Sequence, residues 1–417
     1  MTAARTGSAS RSGVSRRSFL GGIGAVGAGA ALASTGCSAG RAAADGIEHV
    51  VPFDGSHQAG IATPAQDRLA FAAFDVTTSD RDQLADMLTR WTASARAMTR
   101  GELVPGGMTD QLAAPADTGE AAGLPPSNLT VTIGFGPSLF DDRFGLASKR
   151  PKALAALPAL PGDELDPAFV GGDLCIQACA DDPQVAFHAV HNLARQGIGT
   201  VVHRWMQLGF GRTSSTTSAQ ATPRNLMGFK DGTRNISADD AALMDGHVWV
   251  GAGSDQPWLR GGSYLVARRI RMLLEIWDRN TLADQEATFG RAKLSGAPLT
   301  GHVERDVPDF ASRGAGGTRV IPADAHIRLA SPEANGGVRI LRRGYSFTDG
   351  IETETGSLLG GLFFLAFMRD PQQFVTLQRR LGRVDALSEY IRHTGSALFA
   401  CPPGTTATSS WRDHLFG

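Results

Sequence analysis

Along the first half of the chain, short apolar runs are separated by longer amphipathic or polar stretches. Residues 69–77 predict a strand. Residues 79–98 predict an amphipathic helix with Ser79 at its N-cap. A second strand is expected at 129–134 and a third at 174–180. A helix over about 182–196 follows and ends at Gly197, a natural C-cap. Residues 200–209 supply a fourth strand. The order β-α-β, then β-α-β, is the split βαβ or ferredoxin-like pattern. The second half repeats it. Residues 262–270 predict a strand, 271–277 follow it, and 281–291 predict a helix. Strands are then expected at 338–347, 361–367 and 396–400, with a helix at 371–381 before the last. The expected fold class is therefore α+β, with two related ferredoxin-like halves joined near 214–225. Two long connections, 99–127 and 301–324, are rich in Gly, Pro and polar residues and are expected on the surface.

The N-terminus breaks this pattern. Arg16 and Arg17 precede a Gly/Ala-rich run from Phe19 to Gly36. That run is at the lower edge for a membrane span and only weakly apolar. The layout is that of a signal peptide, and the arginine pair points to twin-arginine export. Two processing schemes stand open. Ser34-Thr35-Gly36-Cys37 resembles a lipoprotein box with Cys37 lipidated, although Ser34 stands where Leu or Val is usual. Ala42-Ala43-Ala44 offers an ordinary A-x-A cleavage site. The expected organisation is a signal peptide and linker at 1–44 and ferredoxin-like domains at 45–222 and 223–417. The expected location is extracytoplasmic, secreted or anchored on the outer face. Twin-arginine export carries folded proteins, often with a cofactor in place, which raises the expectation of a redox or metal enzyme.

Charge supports the same division. The 417 residues hold 40 Lys and Arg against 41 Asp and Glu, a net charge of −1. Four arginines and no acid fall in residues 1–37, which leaves the remainder near −5. No basic excess is available for nucleic acid. Hydrophobic residues at 42% and charged residues at 19% exclude wholesale disorder. Four cysteines in this length make no disulfide framework. Cys175 and Cys179 lie four apart in a predicted strand, about 13 Å from each other, and are expected to be small buried hydrophobes.

None of the ten histidines forms a zinc motif. His188 and His191, three apart on a predicted helix, could be a metal pair but are more simply surface or satisfied core groups. Hydrolase, NTPase and nicotinamide motifs are missing. Two dense segments remain. The first is Gly228-Phe229-Lys230-Asp231-Gly232-Thr233, a loop at the join of the halves. The second holds His326 and the adjacent pair Arg342 and Arg343 in an otherwise apolar strand. Alternation turns those arginines to opposite faces, and one turned inward needs an anion or a carboxylate.

With these segments the mature chain, from about Val50 to Gly417, resembles the dye-decolourising peroxidase (DyP) family of the exported kind. The marks are Gly-Phe-Lys-Asp-Gly-Thr at 228–233, His-Ile-Arg-Leu-Ala at 326–330 and Ile-Leu-Arg-Arg-Gly-Tyr-Ser at 340–346. Gly-Gly-Leu-Phe-Phe at 360–364 and Glu-Tyr-Ile-Arg-His-Thr-Gly-Ser-Ala-Leu-Phe at 389–399 complete them. The resemblance implies two ferredoxin-like halves forming a barrel-like core, with one haem b per chain in the C-terminal half. His326 would be the axial ligand to the iron. Asp231 would be the distal acid/base and Arg342 the distal arginine. Asp385 would accept the His326 Nδ1–H, and Leu362 or Phe364 would line the distal pocket. Gly228, Phe229, Lys230, Gly232, Thr233 and Arg328 would border the cofactor.

The implied activity is a peroxidase that reduces H2O2 through a ferryl intermediate and oxidises dyes, phenolics or other reductants. Tyr345 and Tyr390 are relay candidates, although for each a core aromatic is the simpler reading. The implied partners are H2O2, such reductants, the twin-arginine export machinery and, through Cys37, a membrane. A deferrochelatase that frees iron from haem is the alternative, and a non-catalytic haem-binding lipoprotein is a third.

Overall fold

The structure is a computed structural model and describes residues 49–417. The arginine pair, Cys37 and both processing sites lie outside those residues.

Nine strands form one sheet: β1 (Arg68–Val76), β2 (Thr130–Phe135), β3 (Leu174–Ala180), β4 (Val201–Arg212), β5 (Ser263–Met272), β6 (Leu341–Arg342), β7 (Tyr345–Ile351), β8 (Leu358–Met368) and β9 (Ile391–Cys401). The helices are α1 (Arg81–Met98), α2 (Pro183–Gln196), α3 (Ala241–His247), α4 (Leu274–Trp277), α5 (Leu282–Phe289), α6 (His326–Leu329), α7 (Gln372–Val384) and α8 (Trp411–Phe416). The first half orders its strands β2-β3-β1-β4, and the second orders them β7-β8-β5-β9, the same ferredoxin-like arrangement. The two sheets join edge to edge. β2 meets β9 at Phe135 and Ala400, and β4 meets β7 at Phe210 and Ser346. Since β5 also pairs with β8, eight strands close into a barrel, and closure leaves them no free edge.

The strand sequences follow from this closure. Leu69, Phe71 and Ala73 of β1 point into the barrel with Phe363 and Leu365 of β8 and Phe399 of β9. Ala70, Ala72, Phe74 and Val76 point outward into a second core, beneath Leu84, Leu88 and Trp91 of α1 and Val190 and Leu193 of α2. Both faces are covered, so β1 and β3 read as continuous apolar runs rather than as alternation. Cys175, Cys179 and Cys401 are buried free thiols, as expected for the first two.

Of three local expectations, two are corrected and one holds. The N-cap of α1 is Asp80, whose carboxylate accepts from the amides of Asp82 and Gln83, and not Ser79. Gly197 does end α2, but in a right-handed conformation. The strand expected at 338–347 begins only at Leu341 and is interrupted after Arg342. Gly344 lies in that gap, where a side chain would strike Thr213 Oγ1 at 2.7 Å, while the register against β8 runs on unshifted across it. The connection 99–127 does run over the surface, held on α2 by Asp117 to His188 and Glu120 to His191. Those contacts satisfy both histidines, and among the described residues no cluster has the makings of a metal site.

In the first half the outer face of the sheet is filled by α1 and α2. In the second half the outward register of β5 runs on from Tyr264 and Val266 to Arg268, Ile270 and Met272, which line a cavity. Leu362 and Phe364 of β8 and Leu377 and Leu381 of α7 line it too. The half-repeat is thus filled once and hollow once.

Candidate functional site

α6 is a single turn that starts at His326. It is set by α5, which ends at Gly290 in a left-handed conformation (φ +80°); a Cβ there would meet Ile327 at 2.9 Å. The imidazole Nδ1 lies 2.6 Å from Asp385 Oδ2. Asp385 sits where α7 ends, and its other oxygen accepts from the amide of Leu387 at 3.0 Å. One carboxylate therefore caps a turn and orients the histidine. Burial works to lower the His326 pKa, but the charge and hydrogen bond of Asp385 outweigh it, with Asp231 adding to them, and the net direction is upward.

Asp231 lies in the loop after β4. Its amide donates to Pro223 O, and Gly232 follows with φ +90°, a conformation that suits glycine. The Asp231 carboxylate accepts from Arg342 Nη1 at 2.6 Å. Asn235 locks the loop to β6, accepting from the Arg342 amide and donating to its carbonyl, both at 2.8 Å. Arg342, part-exposed on the cavity side, is the arginine that pairs with a carboxylate, and it is not the inward-turned one. Arg343 turns to the other face, is fully buried, and donates to Thr63 O and Gln66 Oε1 instead of to an acid.

These groups share a cavity of about 1640 Å3, counting its open mouth. Of the expected site residues, Lys230, Asp231, Gly232, Thr233, His326, Arg342, Leu362, Phe364 and Asp385 line it. Three do not. Gly228 faces Lys293. Phe229 lies behind the wall, stacked 4.1 Å from Phe289, which in turn meets His326 in a T-shaped contact at 6.1 Å. Arg328 turns away to the carbonyls of Phe310, Ile321 and Pro322. Tyr345 is buried inside the barrel, and Tyr390 packs edge-on against Trp277 at 5.0 Å.

Some polar cavity residues escaped the sequence reading. Arg268 is buried against Asp163 and Ser396. His393 bonds Gln378 at 3.0 Å, and burial, with Arg268 nearby, pushes its pKa down to about 3. Arg291 donates to the carbonyls of Gly296 and Glu304, and burial lowers its pKa to about 10. Arg268-Arg269 was findable, because it is a second arginine pair inside an apolar strand.

Two family profiles, "Dyp-type peroxidase, N-terminal" and "Dyp-type peroxidase, C-terminal", match residues 58–211 and 222–406. The chain belongs to the Dyp-type peroxidase family. Its fold agrees with solved structures of that family. A DyP-type peroxidase from Streptomyces coelicolor superposes with TM-score 0.82 at 39% identity, over 89% of this chain and 98% of the other. Ferric DtpA from Streptomyces lividans gives the same values. A curated relative, the "Deferrochelatase" of Escherichia coli O6:K15:H31, is 40% identical over 405 residues, 94% of each chain. That of Escherichia coli K12 is 40% identical over 359 residues, 85% of this chain and 84% of its own. In this DyP-type chain all four groups of the two acid-paired contacts come from residues 231–385, within the C-terminal match.

Proposed function

We propose that this protein binds one haem b in the cavity and acts on it as a haem-processing enzyme, freeing iron from the macrocycle. The observation that carries the haem reading is the pairing of His326 with Asp385 and of Asp231 with Arg342 on the walls of one cavity. The residues present fit the group. An imidazole whose Nδ1 is committed to a carboxylate keeps Nε2 for iron. Ile270, Met272, Leu362, Phe364 and Leu381 offer apolar walls to a flat ring, and Arg291 and Arg339 offer cations to its carboxylates. When bound, the haem supplies the iron that is either released or used for peroxide chemistry.

Iron release is favoured by the two deferrochelatase relatives, at 40% identity over most of both chains. The reaction replaces the metal by two protons on the ring nitrogens, with an iron cation leaving. Asp231 is the cavity carboxyl placed to hold and pass on such protons. A second reading, peroxide reduction coupled to oxidation of dyes or phenolics, is favoured by the Asp231–Arg342 pair. There Asp231 would move a proton from one peroxide oxygen to the other, and Arg342 would stabilise the charge on the departing oxygen.

Haem-loaded protein supplied with reductant or with H2O2 separates the readings. Free protoporphyrin fluorescence with an equal yield of chelatable iron supports deferrochelation. Dye bleaching with an intact Soret band and no free porphyrin supports the peroxidase instead. A purified protein that takes up no haem would end both. We further propose export of the folded protein by the twin-arginine route, which the layout of residues 1–37 supports. The mass of the mature N-terminus separates lipidation at Cys37 from cleavage after Ala44.

A further inference from the structure

A third carboxylate grips the Asp231 loop from outside. Glu304 lies on the long connection between α5 and α6, with its side chain 16% exposed. One of its oxygens holds the ammonium of Lys230, and the other accepts from Thr233 Oγ1 at 3.2 Å. Lys230 immediately precedes Asp231, and Thr233 follows it by two. One side chain therefore clasps both flanks of the loop. The stem of Lys230 is laid over Gly296, where even a Cβ would come within 2.6 Å of it. Arg291 fixes the clasping segment through the carbonyls of Gly296 and Glu304.

The charges around Asp231 give this clasp a purpose. Arg342 reaches it from β6, Lys230 and Arg234 stand on its own loop, Arg291 lies beyond α5, and His326 belongs to α6. Lysine is a flexible point charge, and one left unpaired in a largely buried place seeks the nearest carboxylate. Arginine is a planar fork that fixes where a carboxylate points. An ammonium competing for Asp231 would therefore loosen its aim. Glu304 takes that ammonium away.

We propose that Glu304 is a positioning residue: it holds Lys230 off Asp231, so that Arg342, with the Asn225 amide donating to the other oxygen at 3.5 Å, orients the Asp231 carboxylate. The inference rests on the reading of Asp231 as the proton-handling group. It is tested with Glu304→Gln, Glu304→Asp and the double variant Lys230→Met/Glu304→Gln. The first readout needs no turnover. Thermal midpoints give the coupling between Lys230→Met and Asp231→Asn, measured once in the parent and once in the Glu304→Gln background. Additivity is expected in the parent and clear non-additivity in the Glu304→Gln background, because Lys230 then pairs with Asp231. The second readout is the rate of reaction of haem-loaded protein with H2O2. Glu304→Gln should lower it about tenfold or more, within the range for a misplaced group. Glu304→Asp should stay within about threefold of the parent, and Lys230→Met/Glu304→Gln should recover most of the loss. Additivity in both backgrounds, or a double variant no faster than Glu304→Gln, overturns the proposal. A parent protein that binds no haem would instead sink the functional reading, while the thermal coupling still decides the clasp.

Discussion

At the scale of single residues, the site is two acid-paired groups with different duties. In the haem-free protein the His326 pKa lies above its usual 6.5, because Asp385 outweighs burial. A raised histidine stabilises the fold below its unfolded value and loses that contribution as pH rises through the folded one. Iron, however, needs the neutral imidazole. Haem affinity should therefore climb with pH until that raised pKa is passed. Asp385→Asn should move the climb to lower pH and reduce the limiting affinity about 10- to 100-fold, the usual cost of losing a partner behind a ligand. Haem titrations at several pH values measure both, and an unchanged midpoint would remove Asp385 from this role. His326→Ala should abolish axial ligation, read from the visible spectrum. Asp231→Ala and Arg342→Leu should each slow the peroxide reaction by about 100-fold or more. Stopped-flow rates indistinguishable from the parent in both would dismiss the pair. His326 and Asp385 are 59 positions apart and Asp231 and Arg342 are 111 apart, so no spacing rule joins them. Their roles were legible only through family resemblance, whereas the opposite facing of the two arginines was legible from the strand around them; the inward one, Arg343, met a carbonyl and an amide oxygen rather than an acid. Glu304 was not, because it stands in a long polar connection with no period to single it out.

At the scale of elements, the placement of β1, β2 and β3 was legible because both of their faces are covered and their sequences are mostly apolar. Ends were less so. The N-cap moved from Ser79 to Asp80, a choice between two residues that can both accept from first-turn amides, decided by where the chain leaves β1. The run 338–347 looked like one strand because it is largely apolar, yet its first three residues have no partner strand and the strand assignment lapses at Arg343 and Gly344, although the register against β8 continues across them. The Gly360-Gly361 pair has a packing meaning that the motif alone did not show. A Cβ on Gly361 would lie 2.0 Å from the carbonyl oxygen of Ile270 and 3.0 Å from Arg271 Cα, so β8 and β5 approach there as only glycine allows. The flanking Ile270 and Leu362 are paired across these strands and line the cavity. Gly361→Ala should therefore destabilise the protein by about 1–3 kcal/mol through overpacking and weaken haem binding with it. Gly246 in α3 is the control. It is exposed and nothing lies within 4 Å of its ideal Cβ, so Gly246→Ala should be neutral or stabilising by up to about 1 kcal/mol. Equal denaturation midpoints for the two variants would contradict this packing account.

At the scale of the whole molecule, two copies of one supersecondary plan close a barrel and are used differently, one for a filled outer core and the other for a pocket. The hollow has an electrostatic cost that should show on acidification. His393 sits in the cavity wall, buried between Gln378 and Arg268, with a pKa near 3 against 6.5 when free. Between those values the unfolded chain takes up a proton that the folded chain refuses. Stability must therefore fall as pH drops below 6.5, by up to about 1.4 kcal/mol per pH unit for each such histidine. His414, lowered to about 4 by burial, adds to the same window, and His203 and His247 shift in the same direction. Carboxylates held low by their partners, Asp117 and Glu304 among them, lose their contribution only at more acid pH. The interval from about pH 6.5 to about 4.5 thus belongs mainly to the histidines. Urea midpoints measured across it on haem-loaded protein, where the proposed ligation would commit His326 to iron, should fall steadily for the parent. They should fall less for His393→Gln, which keeps a polar partner for Gln378 but cannot titrate. If that variant loses stability as steeply as the parent, the buried imidazole is not what the cavity wall fails to protonate.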